Sequence, residues 1–321
     1  MDSENVAQSA KYGMGTVIMH KVFGENAGQA LAAAEAETQR LEGLLSRFLP
    51  GSDIGRVNAS AGICSEKVSG ETFEVLSRAL EISKACGGSF DVTVAPLVDL
   101  WRNAYGTSTP PGRSAIDRVL PLVDYESLLL DADDQTAMLK YLGQSVDLGG
   151  VGKGYAADKV AEVMREYGII SAFTNFGGNV VALGGKPDGS PWRIGIQHPR
   201  HQDILIGVVM VTDSSVVTSG DYQRFFTGPD GKRYHHIVDP ATGYPSESGL
   251  VSVTVIAGRS LDADALSTAV FVAGLERGME ILRSFPGVEA VLVDAGLHMY
   301  ATRGINECFQ AVTGKVQILD L

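Results

Sequence analysis

Three short segments carry residue types and spacings that can do chemistry. The first, Asp147-Leu-Gly-Gly-Val-Gly-Lys-Gly154, is a glycine-dense loop that opens a helix. Glycines let a ligand approach the backbone, and a helix N-terminus favours an anion. The loop departs from the phosphate-loop pattern, because Asp147 stands where the first glycine should be and Gly154 replaces the Ser or Thr after Lys153. It also lacks the G-x-G-x-x-G register of dinucleotide folds. Alone, it reads as a tight strand-to-helix turn.

The second segment is His235-His236-Ile-Val-Asp-Pro-Ala-Thr-Gly-Tyr-Pro245, a polar turn between β-rich runs. Histidine can take a proton near neutral pH, and the Pro and Gly residues that follow would fix the backbone around it. Its plainer reading is a hairpin loop with an exposed His. The third is Asp262-Ala-Asp-Ala-Leu-Ser-Thr268 at the start of the last helix. Asp264 and Thr268 are i and i+4, so a carboxylate and a hydroxyl share one helix face, a hard-oxygen pair suited to magnesium. On spacing alone, helix capping by Asp262 or Asp264 is the simpler account.

The elements that must position these segments follow from periodicity and punctuation. Thr16 to Phe23 alternates as a strand, and Gly24 separates it from an Ala- and Glu-rich helix over Ala27 to Phe48, ended by Pro50-Gly51. Ser69 and Glu71 start a second helix with Phe73, Leu76 and Leu80 on one face and Gly87-Gly88 as its stop. Strands near Ser127 to Leu130 and Met138 to Leu142 flank Asp131 to Asp134, which reads as a solvated hairpin turn. A calcium loop would need a glycine at its sixth position and a Glu at its twelfth. A helix over Gly154 to Tyr167 is stopped by Gly168. β-rich runs follow at Ala172 to Leu183, Trp192 to Gln197, Ile204 to Thr212 and Leu250 to Ile256. A long helix over Asp262 to Phe285 precedes strands near Val291 to Asp294 and His298 to Thr302. Strands and helices mix without strict alternation, which predicts an α+β fold of mixed sheets with packed helices.

Composition bounds the rest. The 321 residues suffice for a large core, and 45% hydrophobic with 20% charged residues is a globular balance. No linker or repeat divides the chain, so a single domain over 1–321, with room for two subdomains, is expected. A net charge of −12 argues against a nucleic-acid partner, which would need clustered Lys and Arg. It also means that an anionic ligand must find local compensation from a metal ion, helix N-termini or placed basic residues. Cys64, Cys86 and Cys308 are too few and too far apart for a disulfide framework. No stretch reaches the ~18 apolar residues of a membrane span, and the N-terminal segment has no signal-peptide core.

Taken in order, these segments resemble the ApbE family of flavin transferases, over nearly the whole chain. The matching residues are Met14-Gly-Thr16, Leu45-Ser-Arg-Phe48, Ser89-Phe-Asp-Val-Thr-Val-Ala-Pro-Leu-Val98, Asp147 to Tyr155, Asn175-Phe-Gly-Gly-Asn179, Thr218-Ser-Gly-Asp-Tyr222, His236 to Pro245 and Asp264 to Thr268. The resemblance implies an ApbE-like, T-fold-like architecture. It further implies an enzyme that binds FAD and magnesium and moves FMN to a Thr or Ser of an acceptor protein, releasing AMP. Carried over position by position, Met14, Phe48, Ser89, Phe90, Asp91, Asp147, Lys153 and Val238 would line the FAD site. Asp264 and Thr268 would hold Mg2+ with the Gly150 carbonyl, and His236 would be the base. Phe48 stands where Tyr is common in the family, leaving stacking without a phenolic hydrogen bond. Gly150 often corresponds to a residue with a side chain, leaving only its backbone as a ligand. Alternatives of other kinds are a magnesium-dependent FAD pyrophosphatase, with water as acceptor, and a flavin carrier that binds FAD without turnover. Many relatives are lipid-anchored outside the cytoplasm. This chain shows no leader, so its location is extracytoplasmic if a leader is missing and cytoplasmic otherwise.

Overall fold

The computed structural model describes residues 5–320. It begins with a hairpin of β1 (Val6–Gly13) and β2 (Thr16–Phe23), turned by Met14 and Gly15 at φ 49° and 75°. Two successive positive φ values make the two-residue turn whose twist matches paired strands. β1 has no sequence signature because, as an edge strand, it buries little beyond Gly13. Helix α1 (Ala27–Leu45) buries Ala27, Ala30, Ala34, Thr38, Leu41 and Leu45 at helical spacing. It ends three residues before the expected Phe48, because Ser46 turns to extended backbone while its N–H still reaches the Glu42 carbonyl. The following loop closes when Ser52 Oγ donates to the Ser46 carbonyl and accepts from Gly55 N–H, which caps α2 (Asp53–Ala59).

A short β3 (Glu66–Lys67) leads to α3 (Gly70–Ala85), capped by Ser69 as expected, then α4 (Ala95–Thr107) and α5 (Arg113–Val119). Strands β4 (Leu128–Asp131) and β5 (Thr136–Leu139) form the expected hairpin, with Asp131 accepting the N–H groups of Asp133 and Asp134 across its turn. After α6 (Gly152–Glu166), the run read as one β segment is two strands, β6 (Ser171–Phe176) and β7 (Asn179–Leu183). Gly177 and Gly178, at φ 60° and 105°, turn the chain between them. Then come β8 (Trp192–His198), β9 (His201–Val211), β10 (Ser214–Gly220), β11 (Phe225–Thr227), β12 (Arg233–His235) and β13 (Leu250–Ala257). The chain closes with α7 (Ser260–Arg283), which is not the one unbroken helix expected but kinks at Gly274 (φ 81°), then β14 (Glu289–Asp294), β15 (Met299–Thr302), β16 (Phe309–Ala311) and β17 (Val316–Leu319).

The architecture is α+β. A nine-stranded sheet of order β1-β2-β6-β7-β10-β13-β14-β15-β17 is antiparallel except for the parallel pair β15 and β17. One face presents Ile18, Val22, Phe176, Val181, Val217, Val253 and Val255 to a helical layer that includes Leu41, Tyr155, Val160, Leu266, Val270 and Phe271. The opposite face, with Val180, Ala182, Val216 and Val291, packs on the small β16-β9-β8 sheet through Ile194, Ile196 and Val209. A third cluster joins α4 and α5 to the β11–β12 ribbon, with Trp101 stacked on Tyr234 and packed near Phe226. Among the described residues, no helix is long and apolar enough to cross a membrane.

Candidate active site

The glycine-dense loop is bound at both ends. Asp147 N–H donates to the Val92 carbonyl at 2.7 Å, and the Leu148 carbonyl accepts from Gly152 N–H at 2.7 Å as α6 begins. Asp147 Oδ1 accepts from Gly149 N–H at 2.7 Å, while Oδ2 lies 3.0 Å from Arg47 Nε, an ion pair without hydrogen-bond alignment. The last glycine has a steric reason. A Cβ on Gly154 would lie 2.4 Å from the Ser260 carbonyl, so only glycine lets the start of α6 meet the start of α7.

That close approach decides how the Asp264 segment is used. The first N–H groups of α7, on Ser260 and Leu261, are taken by Asp158 of α6 at 2.7 and 2.9 Å, and Asp262 pairs with Arg78. Neither Asp262 nor Asp264 caps α7. Instead the buried Asp264 carboxylate crosses to α6, accepting from Gly154 N–H at 3.0 Å and lying 3.5 Å from Lys153 Nζ. Lys153 also donates to the Gly149 carbonyl at 2.8 Å. One turn on, Thr268 Oγ1 is 3.3 Å from Ser219 Oγ, and Ser219 and Ser267 share a 2.8 Å hydroxyl contact. Gly150 abuts this group, since a Cβ there would lie 3.6 Å from Thr268 Oγ1 and 3.0 Å from the Phe90 ring.

The two adjacent histidines differ. His235 is buried, with Nε2 2.9 Å from the Ser246 carbonyl, Nδ1 accepting from Ile237 N–H, and its ring edge-on to Phe271. Both ring nitrogens are used in holding the fold. His236 is half-buried, and its Nδ1 lies 3.3 Å from the Arg224 carbonyl. A carbonyl can only accept, so Nδ1 carries the hydrogen and Nε2 is left with the lone pair. Burial first, then Arg224, His235 and Lys153, lower the His236 pKa from 6.5 to about 4. The turn beyond is rigid: Asp239 N–H donates to the Tyr244 carbonyl, Asp239 Oδ1 accepts from Ala241 N–H, and Trp101 Nε1 donates to the Gly243 carbonyl. The nearby carboxylate of Asp221 is held by both arms of Arg200.

These segments meet at a cleft of about 510 Å³. Met14, Phe48, Ser89, Phe90, Asp91, Asp147, Gly150, Lys153, His236, Val238 and Thr268 all border it, whereas Asp264 lies behind Lys153 in the wall. Phe48, 63% exposed at the rim, has the guanidinium groups of Arg47 and Arg102 each 4.7 Å from its ring centre. Asp91 differs from a free ligand group. Its carboxylate accepts from the N–H and hydroxyl of Thr93 and from Tyr125 N–H, and burial pushes its pKa up. The sequence reading missed Trp101, Arg102 and Tyr105 on α4, and Gln223 and Arg224, all of which border the cleft. The apolar spacing of Leu97, Trp101 and Ala104 was the available signal for α4.

The donors around Asp264 are few and hard: one carboxylate, the Thr268 hydroxyl and the backbone at Gly150. No group of three or more His, Cys, Asp or Glu side chains suits a metal among the described residues. This set fits magnesium, which commonly takes one or two carboxylates and fills its remaining positions with water and substrate phosphate.

The ApbE family model matches residues 14–292. A FAD:protein FMN transferase of Treponema pallidum (strain Nichols) is 34% identical, covering 96% of this chain and 88% of its own length. One from Klebsiella pneumoniae (strain 342) is 33% identical, covering 96% and 95% respectively. Among solved structures, the ApbE protein of Thermotoga maritima superimposes with a TM-score of 0.87 at 30% identity, over 95% of this chain and 99% of its own. The flavin transferase ApbE of Vibrio cholerae does so with a TM-score of 0.85 at 26% identity, over 95% and 100%.

Proposed function

This chain belongs to the ApbE family, and on that footing we propose that it is an FAD:protein FMN transferase that moves the FMN half of FAD onto a Thr or Ser hydroxyl of an acceptor protein. The observation that supports this reading best is the convergence on one cleft of a base with a defined lone pair, His236, and the hydroxyl, backbone and ammonium groups of Thr268, Gly150 and Lys153. A carrier needs no such base.

The residues act as follows. Met14, Phe48, Phe90 and Val238 offer apolar and aromatic surface to FAD, while the Lys153 ammonium at the start of α6 favours its diphosphate. Magnesium, held by Asp264, Thr268 and the Gly150 carbonyl, would supply charge neutralisation on that diphosphate. His236 Nε2 accepts the proton of the incoming hydroxyl as its oxygen bonds to the FMN phosphorus. The bond from that phosphorus to the AMP oxygen breaks, and AMP leaves as the anion. Asp91 keeps the loop at Thr93 and Tyr125 in place, so its part in the FAD site is to shape the wall.

The test is chromatography of FAD incubated with the enzyme, Mg2+ and candidate acceptor proteins. AMP release in step with flavin attached to protein supports the transferase. AMP and free FMN in equal amounts, with no attached flavin, would make water the acceptor and the enzyme a pyrophosphatase. FAD left intact in every mixture would leave only a binder.

A further inference from the structure

Arg224 enters the cleft beside His236. The β11–β12 ribbon pairs Phe225 with His235 and Phe226 with Tyr234, and His236 N–H continues that ladder by donating to the Arg224 carbonyl at 3.1 Å. Arg224 therefore stands opposite His236, and side chains of directly opposed residues leave the same face of a strand pair. On that face Phe226 and Tyr234 are anchored on Trp101, and Tyr105 OH donates to the Arg224 carbonyl at 3.2 Å, so the backbone under both residues is fixed.

Its charge is the second observation. Lys153 is already engaged by the Gly149 carbonyl and Asp264, and Arg102 lies 3.6 Å from Asp99. Arg224 also borders the cleft, yet no carboxylate lies within 4.0 Å of it among the described residues, in a chain with 38 acidic residues. A cation beside a base opposes the proton that the base must accept, unless an anion comes to rest with them. The transferred phosphoryl group is such an anion, and the planar fork of a guanidinium matches its oxygens.

We propose that Arg224 is a further catalytic residue, whose guanidinium holds the FMN phosphoryl group beside the His236 imidazole while transfer occurs. The inference rests on the transferase reading. Arg224 N–H groups donate to non-bridging oxygens of the phosphorus under attack. The acceptor oxygen bonds to that phosphorus, its proton passes to His236 Nε2, and the bond to AMP breaks. The positive charge of Arg224 offsets the negative charge that develops on the phosphoryl oxygens, and the negative phosphoryl group in turn makes the imidazolium beside Arg224 tolerable.

The test uses the full chain with FAD and Mg2+, following AMP release with and without an acceptor domain, for wild type, Arg224→Gln and Arg224→Lys. Thermal melting verifies that each variant is folded. Loss of a preorganised donor to a transition-state oxyanion lowers kcat by on the order of 10²–10³-fold, so Arg224→Gln should fall by that factor at saturating FAD and acceptor. FAD affinity should change by less than about tenfold, and Arg224→Lys should recover part of the rate, because charge is kept while the fork is lost. The acid limb of kcat/KM should also move to higher pH in Arg224→Gln, since Arg224 is one of the groups facing His236, with His235 and Lys153. That movement is a readout that a merely structural role would not give. Arg224→Gln with wild-type kcat would overturn the proposal. So would a rise in acceptor KM alone, which would assign Arg224 to an acceptor carboxylate. AMP release by wild type in neither mixture would instead overturn the transferase reading itself.

Discussion

The sharpest consequence of the site concerns pH. His236 must be neutral to accept a proton, and its surroundings lower its pKa from 6.5 to about 4, chiefly through burial and then through Arg224. At pH 5, an imidazole of pKa 6.5 would be about 3% neutral and one of pKa 4 about 90% neutral, a difference of roughly 30-fold. The free-enzyme base is reported by kcat/KM, so the assay is kcat/KM for FAD between pH 4 and 8 at saturating acceptor. The rate should stay near its plateau at pH 5 and fall with a midpoint near 4. Stability must be followed over the same range, and its sign is fixed. His20 also has a folded-state pKa lowered to about 4, so the unfolded chain binds protons first as pH falls. The corresponding stability is full above 6.5 and is lost progressively towards 4, by about 3 kcal/mol for the buried His20. Circular dichroism at each pH separates this loss from titration of the base. An acid limb centred near 6.5 in a folded protein, or an unchanged limb in His236→Gln, would refute the reasoning.

Other perturbations follow from the same contacts. Asp264→Ala removes the one carboxylate of the proposed magnesium site and the acceptor of Gly154 N–H, and should abolish magnesium-dependent turnover while FAD binding, followed by calorimetry, largely survives. Near-wild-type turnover at limiting Mg2+ would count against it. Gly154→Ala drives a Cβ to 2.4 Å from the Ser260 carbonyl and should cost about 1–3 kcal/mol or more in denaturant unfolding. His235→Ala strands the Ser246 carbonyl and Ile237 N–H and empties the space beside Phe271, so it should destabilise by about 2–4 kcal/mol, whereas His236→Ala should lower the rate by about 10²–10⁴-fold with little change in stability.

Periodicity made α1, α3 and α6 legible because each buries one face, and β2 because it alternates cleanly, whereas α7 is buried nearly all round as far as Phe271 and shows instead as a long apolar run. β1 and α4 were not legible. β1 is an edge strand with little to bury, and α4, after a proline start, packs Leu97, Trp101 and Ala104 with the half-buried Leu100 and Tyr105 onto a small satellite core. The end of α1 was misread because Ser46, a residue that helices tolerate, leaves the helix for reasons of tertiary contact: Ser52 holds its carbonyl, and Arg47 reaches Asp99 and Asp147. At the site, the family motifs brought eleven residues to one cleft, but their spacing could not say what each atom does. Asp264 looked like a cap until Asp158, more than a hundred residues earlier, was seen to take the helix N–H groups. His235 and His236 are adjacent and identical in type, and only the backbone partners of their ring nitrogens separate a fold histidine from a base.

The central claim is that the FMN phosphoryl group goes to a protein hydroxyl. Its most direct test is peptide-mapping mass spectrometry of protein from the producing organism after incubation with this enzyme, FAD and Mg2+. The account predicts a peptide heavier by FMN less one water, with the added mass on a Thr or Ser oxygen, formed with one AMP per adduct and absent with His236→Ala. FAD cleaved to free FMN and AMP with no peptide so modified would contradict it.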